Sequence, residues 1–266
     1  MRNLFIEKIY NICDGKKAEE VFLTYIKSDG TEDDITYRSF GLKCELLMQK
    51  FQKSMLRRND RVLVLTPMSP FGCIAVSALA ISELVSVVLN PQLPEEELDS
   101  LVKKSDISGI VCDEEIYQKY AYKWTQKYPV FNIKTGDLFL DREYFSEPSK
   151  DSDDVLAILY SSGTTSEPKG VMITYEAQMK SAEFLLRAFG TNDIRYLLVF
   201  PMFHVSGFSV FFALFLGGGQ IGLLENTNSI KLMDGFQKYK PNAFGMVPKV
   251  YETFYTKIVS QLNNKK

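Results

Sequence analysis

The chain has 266 residues, with 31 Lys and Arg against 33 Asp and Glu, so its formal net charge is −2. Hydrophobic residues make up 45% and charged residues 24%, with only 16 Gly and 10 Pro, which excludes a disordered or collagen-like chain. No block of Lys and Arg is present, so the electrostatic footprint of a nucleic-acid binder is missing. The length allows one large domain or two small ones.

Four widely spaced cysteines, Cys13, Cys44, Cys73 and Cys112, form no CxxC, and His204 is the single histidine. That inventory speaks against a Cys/His zinc site and against a disulfide framework, and it points to reduced thiols in a cytoplasmic setting. Arg2 and Glu7 place charges too close to the start for the apolar core of a signal peptide.

Along the chain, residues 37–56 set Phe40, Cys44, Leu47, Phe51 and Met55 three and four apart, a helix with one buried stripe. Residues 61–66 are a β-branched strand, followed by an apolar helix over 71–84 and a strand over 86–89. Residues 94–104 read as a helix, with Pro94 near its first turn and three glutamates favoured by the N-terminal dipole. A strand at 107–112, a helix at 114–127 and a strand at 130–133 complete the first half. After a turn-rich stretch the rhythm resumes: strands at 155–160 and 170–173, a helix at 175–189, a strand at 196–200 and a helix at 205–216. A strand at 220–224, a helix at 230–239, a strand at 243–247 and a last helix at 249–262 follow.

Strands alternating with helices of this length predict an α/β fold of mostly parallel sheets with helices on both faces. The turn-rich stretch gives the predicted division: a first α/β lobe over 1–134, an irregular connection over 135–154 and a second α/β lobe over 155–266. Strands 155–160, 196–200 and 243–247 are expected as buried, parallel strands of one sheet. Two uncharged runs, 62–82 and 196–224, are long enough to span a bilayer. Pro67, Pro70 and Gly72 break the first; Pro201, Gly207 and Gly217 to Gly219 break the second. Both therefore read as buried strand-plus-helix core, with no transmembrane segment.

Residues 154–171 read DVLAILYSSGTTSEPKGV. The hydroxyls of Ser161, Ser162, Thr164, Thr165 and Ser166, the backbone around Gly163 and the cation of Lys169 suit phosphate oxygens. Composition alone leaves this open against a plain surface turn, because Ser, Thr, Gly and Pro are turn formers. A Walker A loop does not fit: Lys169 is followed by Gly170 and Val171, and a strand comes next where that motif needs a helix.

The whole string resembles the signature of the adenylate-forming superfamily, which includes acyl-CoA synthetases, luciferases and peptide-synthetase adenylation domains. Other segments agree in order: Asp60-Arg61-Val62 to Pro70, the Leu89-Asn90-Pro91 turn, Phe200-Pro201-Met202-Phe203-His204 to Gly207, and Met246-Val247-Pro248. The resemblance runs from about residue 36 to the end of the chain. It implies ATP-dependent activation of a carboxylate to an acyl-adenylate, then transfer to a thiol such as coenzyme A. Ser161, Ser162, Gly163, Thr164, Thr165 and Lys169 would then cradle the β- and γ-phosphates, with Mg²⁺ held at Thr165. Lys169 and His204 would be catalytic, His204 lying at the reacting carboxylate. The Phe- and Leu-rich helix 205–216 reads first as core packing and second as a wall of an apolar acyl pocket.

Ser166 stands where the family has Gly, and Tyr175 where many members have His, which bears on the fine shape of the loop. Residues 172–266 contain neither the family's Tyr-Gly-x-Thr-Glu segment nor its Thr-Gly-Asp segment. The resemblance therefore covers the N-terminal portion of such an enzyme, for which a complementary C-terminal chain or self-association is the expected partnership. The alternative is a naturally short, non-catalytic nucleotide- or acyl-binding relative that pairs with another chain. A membrane-embedded protein, a third class, rests on the two uncharged runs alone.

Overall fold

The computed structural model describes residues 2–54, 56–132, 137–139, 154–161, 168–190 and 193–263. Helix α1 (Arg2–Asp14) leads into a hairpin of β1 (Val21–Ile26) and β2 (Glu32–Thr36), and α2 (Tyr37–Lys53) follows directly. Next come β3 (Arg61–Leu65), α3 (Pro70–Ile81), β4 (Val85–Val88), α4 (Glu95–Ser105), β5 (Gly109–Cys112) and α5 (Glu114–Thr125). After β6 (Val130–Asn132) and β7 (Asp137–Phe139), a second hairpin pairs β8 (Val155–Ser161) with β9 (Lys169–Thr174). The chain then runs through α6 (Tyr175–Phe189), β10 (Arg195–Leu198), α7 (Val205–Gly217), β11 (Gln220–Leu224), α8 (Ser229–Tyr239), β12 (Ala243–Phe244) and α9 (Pro248–Asn263).

The helix starts follow local chemistry. Thr36, Ser69, Asp113, Thr174 and Asn228 each accept a backbone N–H of the first turn they precede, satisfying donors that a helix leaves unpaired. Pro70 adds a preset φ at the start of α3. Helix α4 has no side-chain cap; instead Glu95, Glu96 and Glu97 meet the positive end of its dipole.

Among the described residues there are two sheets. One has the order β12-β10-β11-β1-β2, parallel except for β2. The other has the order β7-β6-β5-β3-β4-β8-β9, parallel except for the edge strands β7 and β9. Alternation along the strands sorts side chains into layers. Val62 and Val64 of β3 join Ile221 and Leu223 of β11 in a common core, together with Phe5 of α1, Phe40 of α2, α3, Met179 of α6 and α7. Leu63 and Leu65 face the opposite way, onto α4 and α5. Leu197 and Leu224 pack outward on Leu232 of α8. Five helices thus lie between the sheets, and the others cover the outer faces. Both uncharged runs fall in this interior, and α3 and α7 are apolar all round because both of their flanks are covered. No helix among the described residues is long and apolar enough to cross a membrane.

The expected α/β fold is present, but two expectations about its arrangement need correction. The division at 135–154 is not a boundary between sheets, because β8 and β9 extend the sheet begun by β3. The chain also leaves the five-stranded sheet after β2 and returns to it at β10. Consequently strand 155–161 lies in one sheet, and the strands at 195–198 and 243–244 in the other. Most of the connection itself lies outside the described residues, β7 excepted.

All four cysteines are free and buried, as expected of reduced thiols. Tyr175 belongs to the core rather than to loop chemistry. Its hydroxyl donates to the Ala80 carbonyl at 2.7 Å, and its ring meets Phe5 edge-on at 5.2 Å, tying α6 to α3 and α1.

Candidate active site

Strands β4 and β8 are parallel neighbours, so their carboxyl ends open on one rim of the sheet. Ligands of open α/β sheets bind at such rims. At this rim β8 turns back into β9, with Ser161 paired to Lys169 and Tyr160 to Gly170 across the ladder. The signature segment is therefore held at both ends by a two-stranded stem. Ser162, Gly163, Thr164 and Thr165, with Ser166 and Glu167, lie outside the described residues, and the Mg²⁺ assignment to Thr165 falls there too.

The stem is fastened by α4. The Tyr160 hydroxyl lies 2.8 Å from Ser105 Oγ, and Lys104 Nζ donates to the Pro168 carbonyl at 3.1 Å. Gly170 has a steric reason to be glycine. A Cβ there would stand 3.0 Å from Ile158 Cγ2 and 3.3 Å from Tyr160 Cζ.

His204 reaches the same rim from the other sheet. It is the N-cap of α7, in an extended conformation, and its side chain makes no capping bond. The preceding turn is fixed by the His204 amide donating to the Pro201 carbonyl at 3.1 Å. Gly207 lets this turn fold back on the helix: a Cβ there would lie 2.3 Å from the Pro201 oxygen and 2.5 Å from the Phe200 oxygen. The imidazole is exposed and leans on Phe203, with the ring centroids 4.7 Å apart.

Two hollows meet at His204. The larger, about 340 Å³, is lined by Leu159, Tyr160, Val171, Ile173, Phe203, His204 and Val205. The smaller, about 140 Å³, adds Val88, Leu89, Asn90, Leu93, Glu97 and Pro168 to Tyr160, Phe203 and His204. The structure thus brings His204 together with both stem residues of the signature segment, Tyr160 and Pro168. Lys169 begins β9 on the exposed side of the stem. The larger hollow is apolar apart from His204 and the Tyr160 hydroxyl, a setting suited to a hydrocarbon group with its polar end toward the imidazole. Of the helix 205–216, only Val205 reaches it. Phe211 and Phe215 pack instead on Phe22 and Phe40, so core packing is what most of that helix does.

Ser105 and Lys104 carry no mark in the sequence pattern, and Tyr160, though it lies within the signature, has no role assigned to it there. Ser105 and Tyr160 are 55 positions apart, and nothing local links them. No group of three or more His, Cys, Asp and Glu able to hold a metal occurs among the described residues.

A mostly parallel α/β core thus brings the two ends of the hydroxyl-rich segment, on a strand-to-strand stem, to one rim with a histidine from the second sheet. The chain belongs to the AMP-binding enzyme family, which it matches over residues 13–266. It is 28% identical over 182 residues to the 2-succinylbenzoate–CoA ligase of Bacillus cereus (strain Q1), a match covering 67% of this chain and 36% of that protein. Its fold resembles that of the o-succinylbenzoate CoA synthetase of Bacillus subtilis in complex with its acyl-adenylate intermediate. There the TM-score is 0.78 at 19% identity, over 94% of this chain and 50% of the other. The same enzyme in complex with ATP and magnesium ion gives a TM-score of 0.76 at 18% identity, over 93% of this chain and 65% of that one. The chain thus spans roughly a third to two-thirds of the length of these proteins.

Proposed function

We propose that this chain forms the phosphate-binding and acyl-facing part of an ATP-dependent, AMP-forming carboxylate ligase. In the complete site a carboxylate oxygen attacks the α-phosphorus of ATP. The bond to the departing pyrophosphate breaks, and an acyl-adenylate results; the coenzyme A thiol then gives up its proton and attacks the acyl carbon, the acyl–phosphate bond breaks and AMP leaves. The observation that carries this reading is the shared hollow, in which the stem of the signature segment faces the single histidine.

Two anions must approach each other in this reaction, so fixed positive and hydrogen-bonding groups have to be in place beforehand. Ser161, Ser162, Gly163, Thr164 and Thr165 supply hydroxyl and backbone donors for the β- and γ-phosphates, and Lys169 supplies the charge. The Thr165 hydroxyl is a hard oxygen donor of the kind Mg²⁺ takes, and Mg²⁺ there would share the charge of the leaving pyrophosphate. His204 orients the reacting carboxylate, and the hollow below it accepts the acyl group. Four buried reduced thiols support a cytoplasmic location.

A complementary polypeptide carrying the rest of the family's architecture is proposed as the partner. Among the described residues strand β12 is paired on one side only, and Phe244, Val247, Tyr251 and Tyr255 are exposed beside it. Open edges and apolar patches of this kind favour association.

The test is carboxylate-dependent ATP–pyrophosphate exchange by residues 1–266, alone and with that complementary polypeptide. Exchange is expected in the mixture and not with 1–266 alone. Robust exchange by 1–266 alone would overturn the division of the site between two parts. No exchange in a mixture that forms a stable complex would overturn carboxylate activation.

A further inference from the structure

The last turn of α4 touches both stems of the β8–β9 connection. Ser105 and Lys104 are adjacent in sequence, yet one reaches the strand that enters the connection and the other reaches the residue that leaves it. Ser105 is buried, with its Oγ 2.6 Å from the Leu101 carbonyl and 2.8 Å from the Tyr160 hydroxyl. A serine hydroxyl has one proton and a carbonyl can only accept, so Ser105 donates to Leu101 and Tyr160 donates to Ser105. On the far stem, Lys104 donates to Pro168 at 3.1 Å. The turn that carries both residues is itself fixed: Leu98, Leu101 and Val102 are buried against the sheet, and Asp106 ends the helix at φ +50°.

We propose that Ser105 and Lys104 are positioning residues for phosphate binding. Together they hold Tyr160 and Pro168 so that Ser161 and Lys169 are presented as a pair. This role rests on the function proposed above, whereas the hydrogen bonds that define the clamp do not. Neither residue touches substrate; both act through the stem.

The experiment measures amide hydrogen exchange at Ser161 and Lys169 in nucleotide-free 1–266, with MgATP titrations in parallel. Ser105→Ala and Tyr160→Phe should each speed exchange at these amides and weaken MgATP binding about 3–10-fold, the span expected for one hydrogen bond. The double variant should do no more than either single one, because both remove the same bond. Lys104→Met should act in the same direction, and Lys104→Arg should restore wild-type behaviour. Exchange at Leu63 and Val111, on strands β3 and β5, should stay unchanged. Wild-type exchange in every variant would overturn the clamp, and so would equal acceleration at Leu63 and Val111, which marks general destabilisation. If the wild-type chain binds no MgATP while the nucleotide-free exchange differs as described, the clamp stands and the functional reading fails.

Discussion

Tyr175 shows how a residue chosen for one reason can serve another. It stands just after the signature segment, where many family members have His, yet its side chain is buried and donates to the Ala80 carbonyl, 95 positions earlier in α3. Tyr175→Phe keeps the ring and removes one of the bonds to that carbonyl, which still accepts from the Glu83 amide at 3.2 Å, so unfolding should become easier by about 0.5–1.5 kcal/mol. The midpoint should fall by several degrees in a thermal scan. The thiols make a second prediction. Burial pushes the Cys13 thiol up to about 12, well above its ordinary range, with Asp14 and Glu45 adding to the shift, and burial likewise raises Cys44, Cys73 and Cys112. At pH 8 these groups remain protonated and covered. A thiol reagent should therefore label none of them until denaturant is added, when all four should react. Between the unfolded thiol value near 9 and about 12, the unfolded chain has released a proton that folded Cys13 still holds. Stability should therefore fall as pH rises through that window. Midpoints measured across pH 8–11 would show this as a steady decline, and a flat profile would contradict it. At this scale the sequence told much about chemistry and little about contact. His204 was conspicuous as the single histidine, but its place between two hollows depends on a turn and a second sheet that residue spacing does not specify.

Among the elements, those with a strong period were legible. Phe40, Cys44, Leu47 and Phe51 form the buried stripe of α2 as their spacing requires. The two uncharged runs resolve into strand and helix at their Pro and Gly breakers, as expected. The hairpin of β1 and β2 lies ahead of the elements that the hydrophobic period marks, although it carries a turn signal: Asp29 and Gly30 follow an apolar run, Gly30 adopts φ +88°, and Asp29 accepts from Thr31 at 2.8 Å. Glycine at 207 is legible as a breaker of the second uncharged run and as part of a family pattern, and the structure supplies the reason. Gly207→Ala must drive its methyl group into two carbonyl oxygens, so the 201–204 turn has to move. A cost of roughly 1–3 kcal/mol is expected. Because His204 rides on that turn, ligand binding at the rim should weaken along with stability, whereas Tyr175→Phe should lower stability alone. Comparing melting midpoints with MgATP titrations for the two variants checks the distinction.

In the whole molecule, the order of strands within a sheet was the least legible feature. Local pattern marks β11 as a strand but cannot show that it pairs with β1 across nearly two hundred residues. The chain's departure from one sheet and return to it is set by packing of the central helix layer, where Phe22 meets both Phe40 and Phe215. That layer also fixes the candidate site, since it joins the sheet bearing Tyr160 to the sheet whose following turn bears His204. If the rim where they meet is a triphosphate site, MgATP must bind the folded chain and stabilise it by mass action. The most direct measurement is the thermal midpoint of residues 1–266 with and without MgATP, for the wild type and for Lys169→Ala. At about 100-fold over the dissociation constant, ligand binding supplies about 2.7 kcal/mol, which corresponds to a rise of roughly 5–10 °C for a chain of this size. The wild type should show that rise, and Lys169→Ala at the same MgATP concentration should lose most of it. An unshifted wild type, or an equal shift in Lys169→Ala, would contradict a phosphate site at this rim.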